Sequence, residues 1–162
     1  HVRSRRQRQM CIRDRYYTRG HVAQTPTLGL HQARIARSGE EVTLICYGPM
    51  VDTCLEAAKE ASQEGRKLEV IDVRSLSPLD MATVYESVRR TTRAIVVQEA
   101  PRTQGVGAEI AARLGEELYY VMEAPVLRVT GWSTPYPPAK AEGEHIPDVD
   151  RILDAVDRSL AF

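Results

Sequence analysis

Beyond residue 40 the chain alternates between two hydrophobic patterns. Short unbroken apolar runs are separated by longer stretches in which apolar residues recur every third or fourth position. The apolar runs cover 42–46 and 94–97, and 68–72 and 126–129, each interrupted by a charged residue, are read as two further strands; their length and β-branched content predict strands. An unbroken run such as Val42-Thr43-Leu44-Ile45-Cys46 is the mark of a strand covered on both faces. After the first run, Val51, Cys54, Leu55, Ala58 and Ala61 form a helical stripe, closed by Gly65 at the position of a C-terminal cap glycine. Met81, Val84, Tyr85 and Val88 form a second stripe. Ser77-Pro78-Leu79-Asp80 precedes it, with Ser77 read as the cap, Pro78 at the first helical position and Asp80 in the first turn. Gly107, Ile110, Ala111, Leu114 and Leu118 make a third. Val149, Ile152, Leu153, Val156 and Leu160, capped by Asp148, make the last. Strand and helix in alternation predict an α/β fold in three layers: a mostly parallel sheet of four to five strands with helices on both faces.

The segment from Ala94 to Ala112 is the centre of this pattern. A strand runs into a polar turn, Gln98-Glu99-Ala100-Pro101-Arg102-Thr103-Gln104, and Gly105-Val106-Gly107 opens a helix. Such a junction is where an α/β unit usually meets ligands or partners. The two glycines do not complete a dinucleotide fingerprint, because Ile110 stands where the third glycine belongs. They read instead as room for a tight turn into a closely packed helix.

Composition narrows the function. At 162 residues the chain is one domain's worth, and no apolar run approaches the roughly 18 residues that a membrane crossing needs. The net charge is formally zero, but residues 1–20 hold seven arginines and one aspartate, so residues 21–162 are acidic by six charges. An acidic body is unsuited to nucleic-acid phosphates. Residues 1–19 read as a foreign or disordered basic leader, with Arg-Arg-Gln-Arg-Gln-Met-Cys-Ile-Arg-Asp resembling a translated sequencing-adapter remnant. Residues 20–39 read as a lead-in, and 40–162 as the α/β domain.

Candidate chemistry is sparse. The histidines at 1, 21, 31 and 145 have no metal-ligand spacing, and Cys11, Cys46 and Cys54 lack a Cys-x-x-Cys pair. Buried, inert thiols are expected. No nucleophile elbow or phosphate-binding loop is present. Glu99 and Arg102, just past a strand end, read either as a salt-bridged turn or as a contact to a partner's active-site wall. Trp132, Tyr136 and the surrounding prolines either cover the sheet edge or anchor an interface. Residues 142–162 hold six acidic and two basic residues and end in Phe162, which suits either a solvated helix face or a basic partner.

Four motifs carry a resemblance over about residues 20–162. They are Glu41-Val42-Thr43-Leu44-Ile45 with Tyr47-Gly48-x-Met50-Val51; Val70-Ile71-Asp72-Val73-Arg74-Ser75-Leu76-Ser77-Pro78-Leu79-Asp80; Glu99-Ala100-Pro101-Arg102-Thr103-x-Gly105-x-Gly107-Ala108-Glu109-Ile110; and Ala124-Pro125-Val126-x-Arg128-Val129-Thr130-Gly131. Together they resemble the C-terminal, transketolase-like domain of the β subunit of thiamine-diphosphate-dependent 2-oxo acid dehydrogenases, of the pyruvate or branched-chain type. The proline-rich ending leans toward the branched-chain type. The resemblance implies an enzyme that oxidatively decarboxylates a 2-oxo acid and passes the acyl group to a lipoyl group. Thiamine diphosphate and Mg would then be held by the α subunit and by an N-terminal β domain that has no counterpart here. Accordingly no catalytic, cofactor-binding or metal residue is assigned. The expected partners are a second β subunit, an α subunit and the subunit-binding domain of the acyltransferase, with Glu99, Arg102, Asp154, Asp157 and Phe162 as partner-binding residues. A cytoplasmic place, or the mitochondrial matrix, follows from the same resemblance. A free-standing partner-binding module and a transketolase-like sugar-phosphate enzyme are the alternatives.

Overall fold

A computed structural model describes residues 28–162; the basic leader with Cys11 and the start of the lead-in lie outside the described residues. Five strands form one sheet: β1 (Arg34–Arg37), β2 (Val42–Cys46), β3 (Leu68–Asp72), β4 (Ala94–Pro101) and β5 (Leu127–Gly131). Their spatial order is β1-β3-β2-β4-β5. The pairs β2–β3, β2–β4 and β4–β5 are parallel, and β1 is added antiparallel to β3. β1 falls within the lead-in. It is short, largely exposed and interrupted by a register shift between Ile35 and Arg37, so the period-two alternation that would have marked it is missing.

Four helices cover the sheet: α1 (Met50–Gln63), α2 (Met81–Thr91), α3 (Val106–Leu118) and α4 (Val149–Leu160). The alternation along β2 shows how. Val42, Leu44 and Cys46 join Cys54, Ala57, Ala58 and Ala61 of α1 and Ile152 and Val156 of α4 in one core. Ile45 points the other way, into a second core with Met81, Val84 and Val88 of α2 and Ile110, Leu114 and Leu118 of α3. All five residues of β2 are buried, as an unbroken apolar run between two helix layers requires. Burying a leucine such as Leu114 contributes about 2 kcal/mol, so the two cores carry most of the stability.

Two local expectations are corrected. The cap of α2 is Asp80, not Ser77, and the helix begins at Met81. The Asp80 carboxylate accepts from the Thr83 N–H at 3.2 Å, from the Thr83 hydroxyl at 2.6 Å and from the Ala33 N–H at 2.9 Å. A residue that caps one helix and also ties down the chain before β1 outcompetes a cap with only local bonds. The second correction concerns β4, which runs to Pro101 rather than stopping at Val97. It resumes pairing with β5 after an irregularity between Gln98 and Pro101. The other helix ends follow the pattern. Gly65 takes φ +83° after α1, and Asp148 caps α4 by accepting from the Arg151 N–H at 2.8 Å.

Candidate functional site

The end of β4 leads directly into α3, and Gln98 organises the junction. Its side chain is fully buried. Gln98 Oε1 accepts from the Gly107 N–H at 2.7 Å and from the Tyr47 hydroxyl at 3.3 Å. Its Nε2 donates to the carbonyls of Pro101 at 3.0 Å and Ala100 at 3.3 Å. Both glycines exist to admit this amide. A methyl group at 105 would lie 2.1 Å from Gln98 Nε2, and one at 107 would lie 2.7 Å from Gln98 Oε1. The Gly107 N–H near the start of α3, of the kind that faces a ligand in a phosphate-binding loop, therefore faces the protein's own amide, while the Ala108 N–H turns back to the Gly105 carbonyl. Burial, reinforced by the charge of Glu99, raises the Tyr47 phenol above its ordinary value and keeps it a neutral donor.

Among the described residues no three His, Cys, Asp or Glu side chains are grouped to hold a metal ion. With the α3 N-terminus filled by Gln98, these residues do not fit a diphosphate and its Mg. Cys46 and Cys54 are free and buried. A hydrogen bond with Cys54, then burial, pushes the Cys46 thiol well up, so Cys46 is not an activated nucleophile.

The residues expected at a partner surface divide between two places. A groove of about 480 Å³ runs between β5 and α4, and Arg102 and Asp154 both line it beside Trp132. Arg158 is also in its wall and pairs with Asp154 at 3.8 Å. Asp157, one helical step round, turns away from the groove and pairs with Arg66. That contact raises the guanidinium's pKa through the hydrogen bond to Asp157. Phe162 is 71% exposed and lies against Arg158 at the end of α4. Glu99 is half-buried on β4 and does not line the groove.

Trp132 is held by its indole N–H, which donates to the Glu144 carbonyl at 2.9 Å. The Arg151 guanidinium stacks 4.7 Å from the ring centroid and donates to the Thr130 carbonyl at 2.5 Å. His145 is buried and meets Tyr136 edge-on at 5.1 Å, so it is a packing histidine. Arg128 entered the sequence reading only as part of a motif, and Arg151 and Arg158 were not singled out; their spacing along one helix is masked by a stripe of apolar residues.

A family model described as the transketolase C-terminal domain matches residues 31–152. Over 150 residues the chain is 52% identical to the pyruvate dehydrogenase E1 component subunit beta of Leifsonia xyli subsp. xyli, covering 91% of this chain and 44% of that protein. It is 48% identical over 148 residues to the 3-methyl-2-oxobutanoate dehydrogenase subunit beta of Mycobacterium tuberculosis, covering 90% of this chain and 42% of the other. The chain thus spans less than half the length of these curated relatives. Among solved structures, a split-gene transketolase in an inactive β4 tetramer matches with a TM-score of 0.74 at 27% identity, over 86% of this chain and 45% of that one. A 2-oxoglutarate:ferredoxin oxidoreductase from Magnetococcus marinus matches with a TM-score of 0.51 at 16% identity, over 79% and 19%, which is a likeness of fold.

Proposed function

Because the chain belongs to the transketolase C-terminal domain family, we propose that it serves as the C-terminal assembly domain of a 2-oxo acid dehydrogenase β subunit. The observation that carries this reading is its identity of about one half to β subunits named for pyruvate and for 3-methyl-2-oxobutanoate. The transketolase-like alternative rests on a weaker likeness, 27%. The whole enzyme would decarboxylate a 2-oxo acid on thiamine diphosphate and transfer the acyl group to lipoyl. In this reading the reacting groups come from the other domains, and none is assigned to this one. Its part is to pair β subunits, to buttress the cofactor-binding domains of α and β, and to receive the acyltransferase's subunit-binding domain.

The support for docking is electrostatic. Asp154 and Asp157 keep 70% and 60% of their side chains exposed on α4, and Phe162 projects beyond them. Surface carboxylates of this kind steer and select a basic partner more than they add affinity.

A chimeric β subunit tests the reading. Residues 28–162 replace the corresponding part of a relative's β chain, which is co-expressed with its α subunit. Elution as a heterotetramer that decarboxylates a 2-oxo acid supports the assignment. Separate elution of a folded chimera and the α subunit overturns it. Charge reversal at Asp154 and Asp157 with removal of Phe162 tests docking separately: intact binding of the subunit-binding domain ends that part of the proposal.

A further inference from the structure

The groove between β5 and α4 has the opposite character from the acidic tail around it. Four guanidinium groups, from Arg102, Arg128, Arg151 and Arg158, face two carboxylates, from Asp150 and Asp154. The hydrogen bonds leave much of that positive charge in place. Arg128 donates to the Arg102 carbonyl at 3.1 Å and Arg151 to the Thr130 carbonyl, and a carbonyl dipole does not neutralise a cation. Among the described residues Arg158 pairs with Asp154 in the groove, and at 3.8 Å in solvent that pair is weak. Trp132 is 55% exposed at the groove, its ring oriented by the bond to Glu144 and the Arg151 stack. One wall is β5, which has β4 on one side and no strand on the other among the described residues.

We propose that this groove docks an extended, acidic segment of a partner protein. Its carboxylates meet Arg102, Arg128 and Arg158, and an apolar side chain rests on Trp132. Two features select this occupant. The edge strand β5 forms one wall, and an extended segment reaches it at the half-buried Leu127 and Arg128, since the Thr130 carbonyl is already taken by Arg151. The net positive wall selects carboxylates and disfavours a basic chain by like-charge repulsion. The groove shares Asp154 and Arg158 with the edge of the Asp154–Phe162 surface but reaches Arg102, Arg128 and Trp132, which that surface does not, and it stands whether or not the chain works in a dehydrogenase.

The chain contains one tryptophan, so indole fluorescence reads the groove directly. The probes are a blocked, fluorescein-labelled peptide in which glutamate alternates with valine, and its lysine-for-glutamate twin. With the full chain, the glutamate peptide should bind saturably by anisotropy, perturb Trp132 emission, and weaken as salt rises from about 0.1 to about 1 M, where the Debye length falls from about 10 to about 3 Å. The lysine twin should not bind. Arg102→Glu with Arg158→Glu should weaken the glutamate peptide by about tenfold or more and admit the lysine peptide. Should that pair fail to fold by far-UV circular dichroism, Arg102→Gln with Arg158→Gln carries the same loss. Equal binding of both peptides, binding of neither, binding without a Trp132 response, or undiminished binding to the folded variant each overturns the proposal.

Discussion

Replacing Gln98 by methionine isolates the contribution of one buried amide. Methionine is of similar length and fills the same space, so little cavity is created, while all four hydrogen bonds are lost. The losses are unequal. The Ala100 and Pro101 carbonyls and the Tyr47 hydroxyl are half-buried or exposed and can turn to water. Gly107 is buried, and its N–H has no such recourse. An unsatisfied buried donor costs about 1–3 kcal/mol, and three partly rehydrated groups add about 1 more, giving about 2–4 kcal/mol in total. For a chain of this size that corresponds to a fall in Tm of about 5–12 °C. Urea unfolding followed by far-UV circular dichroism measures the free energy, and amide exchange at Gly107 tests its location. The Gly107 amide should exchange faster in the variant than in the parent, while amides late in α3 change little. A loss below about 0.5 kcal/mol, or unchanged exchange at Gly107, would refute the idea that this side chain caps α3.

Three other expectations follow from the same structure. Burial pushes the Asp80 carboxyl up, but bonds from the Thr83 hydroxyl and from the Ala33 and Thr83 N–H groups outweigh it and hold the pKa below the ordinary aspartate value. The stability this supplies is present above the unfolded pKa, about 3.9, and is lost as pH falls through the lower folded value. Asp80→Ala should therefore cost about 1–2 kcal/mol at pH 7, and the gap to the parent should narrow in acid unfolding curves below about pH 4. Glu69 is 1% exposed and is held by Arg90 at 2.7 Å and the Thr43 hydroxyl at 3.4 Å. Arg90→Ala should destabilise by about 2–3 kcal/mol, and adding Glu69→Gln should cost less than the sum of the singles; strict additivity in urea melts would show that the pair is not coupled. In a Cys11→Ser background, a thiol-labelling disulfide reagent should modify neither Cys46 nor Cys54 at pH 8 until urea unfolds the chain, because both sulfurs are buried and the Cys46 pKa is raised.

The layer order was legible because β2, most of β3 and the first half of β4 are apolar, a pattern typical of a sheet covered on both faces. Helix stripes survived for the same reason: α1 through α4 each bury one face. β1 was illegible as a strand because it is held from outside. Its neighbour β3 and the Arg34–Asp72 ion pair at 3.3 Å fix it, and neither has a local signature. The far half of β4 was hidden by Gln98, a polar residue that ordinarily marks a turn and here sits fully buried with all its polar atoms engaged. The partner surface was half legible. An acidic tail can be read directly, but the basic groove is assembled from the loop after β4, from β5 and from α4, which the fold alone brings together.

The two ends of the sheet are not equivalent. At one end β1 runs backwards, is four residues long, and carries a register shift with Arg34 and Arg37 on it, all features that discourage another strand from adding there. At the other, β5 is parallel to its neighbour, and the irregularity in their pairing falls on the β4 side, between Gln98 and Pro101. A sheet that can be extended on one side only has a valence of one. If two copies met through β5, the contact would be used up in a closed pair about a two-fold axis, and no third copy could follow. Filament growth by strand addition needs two adhesive edges, and among the described residues this sheet offers one.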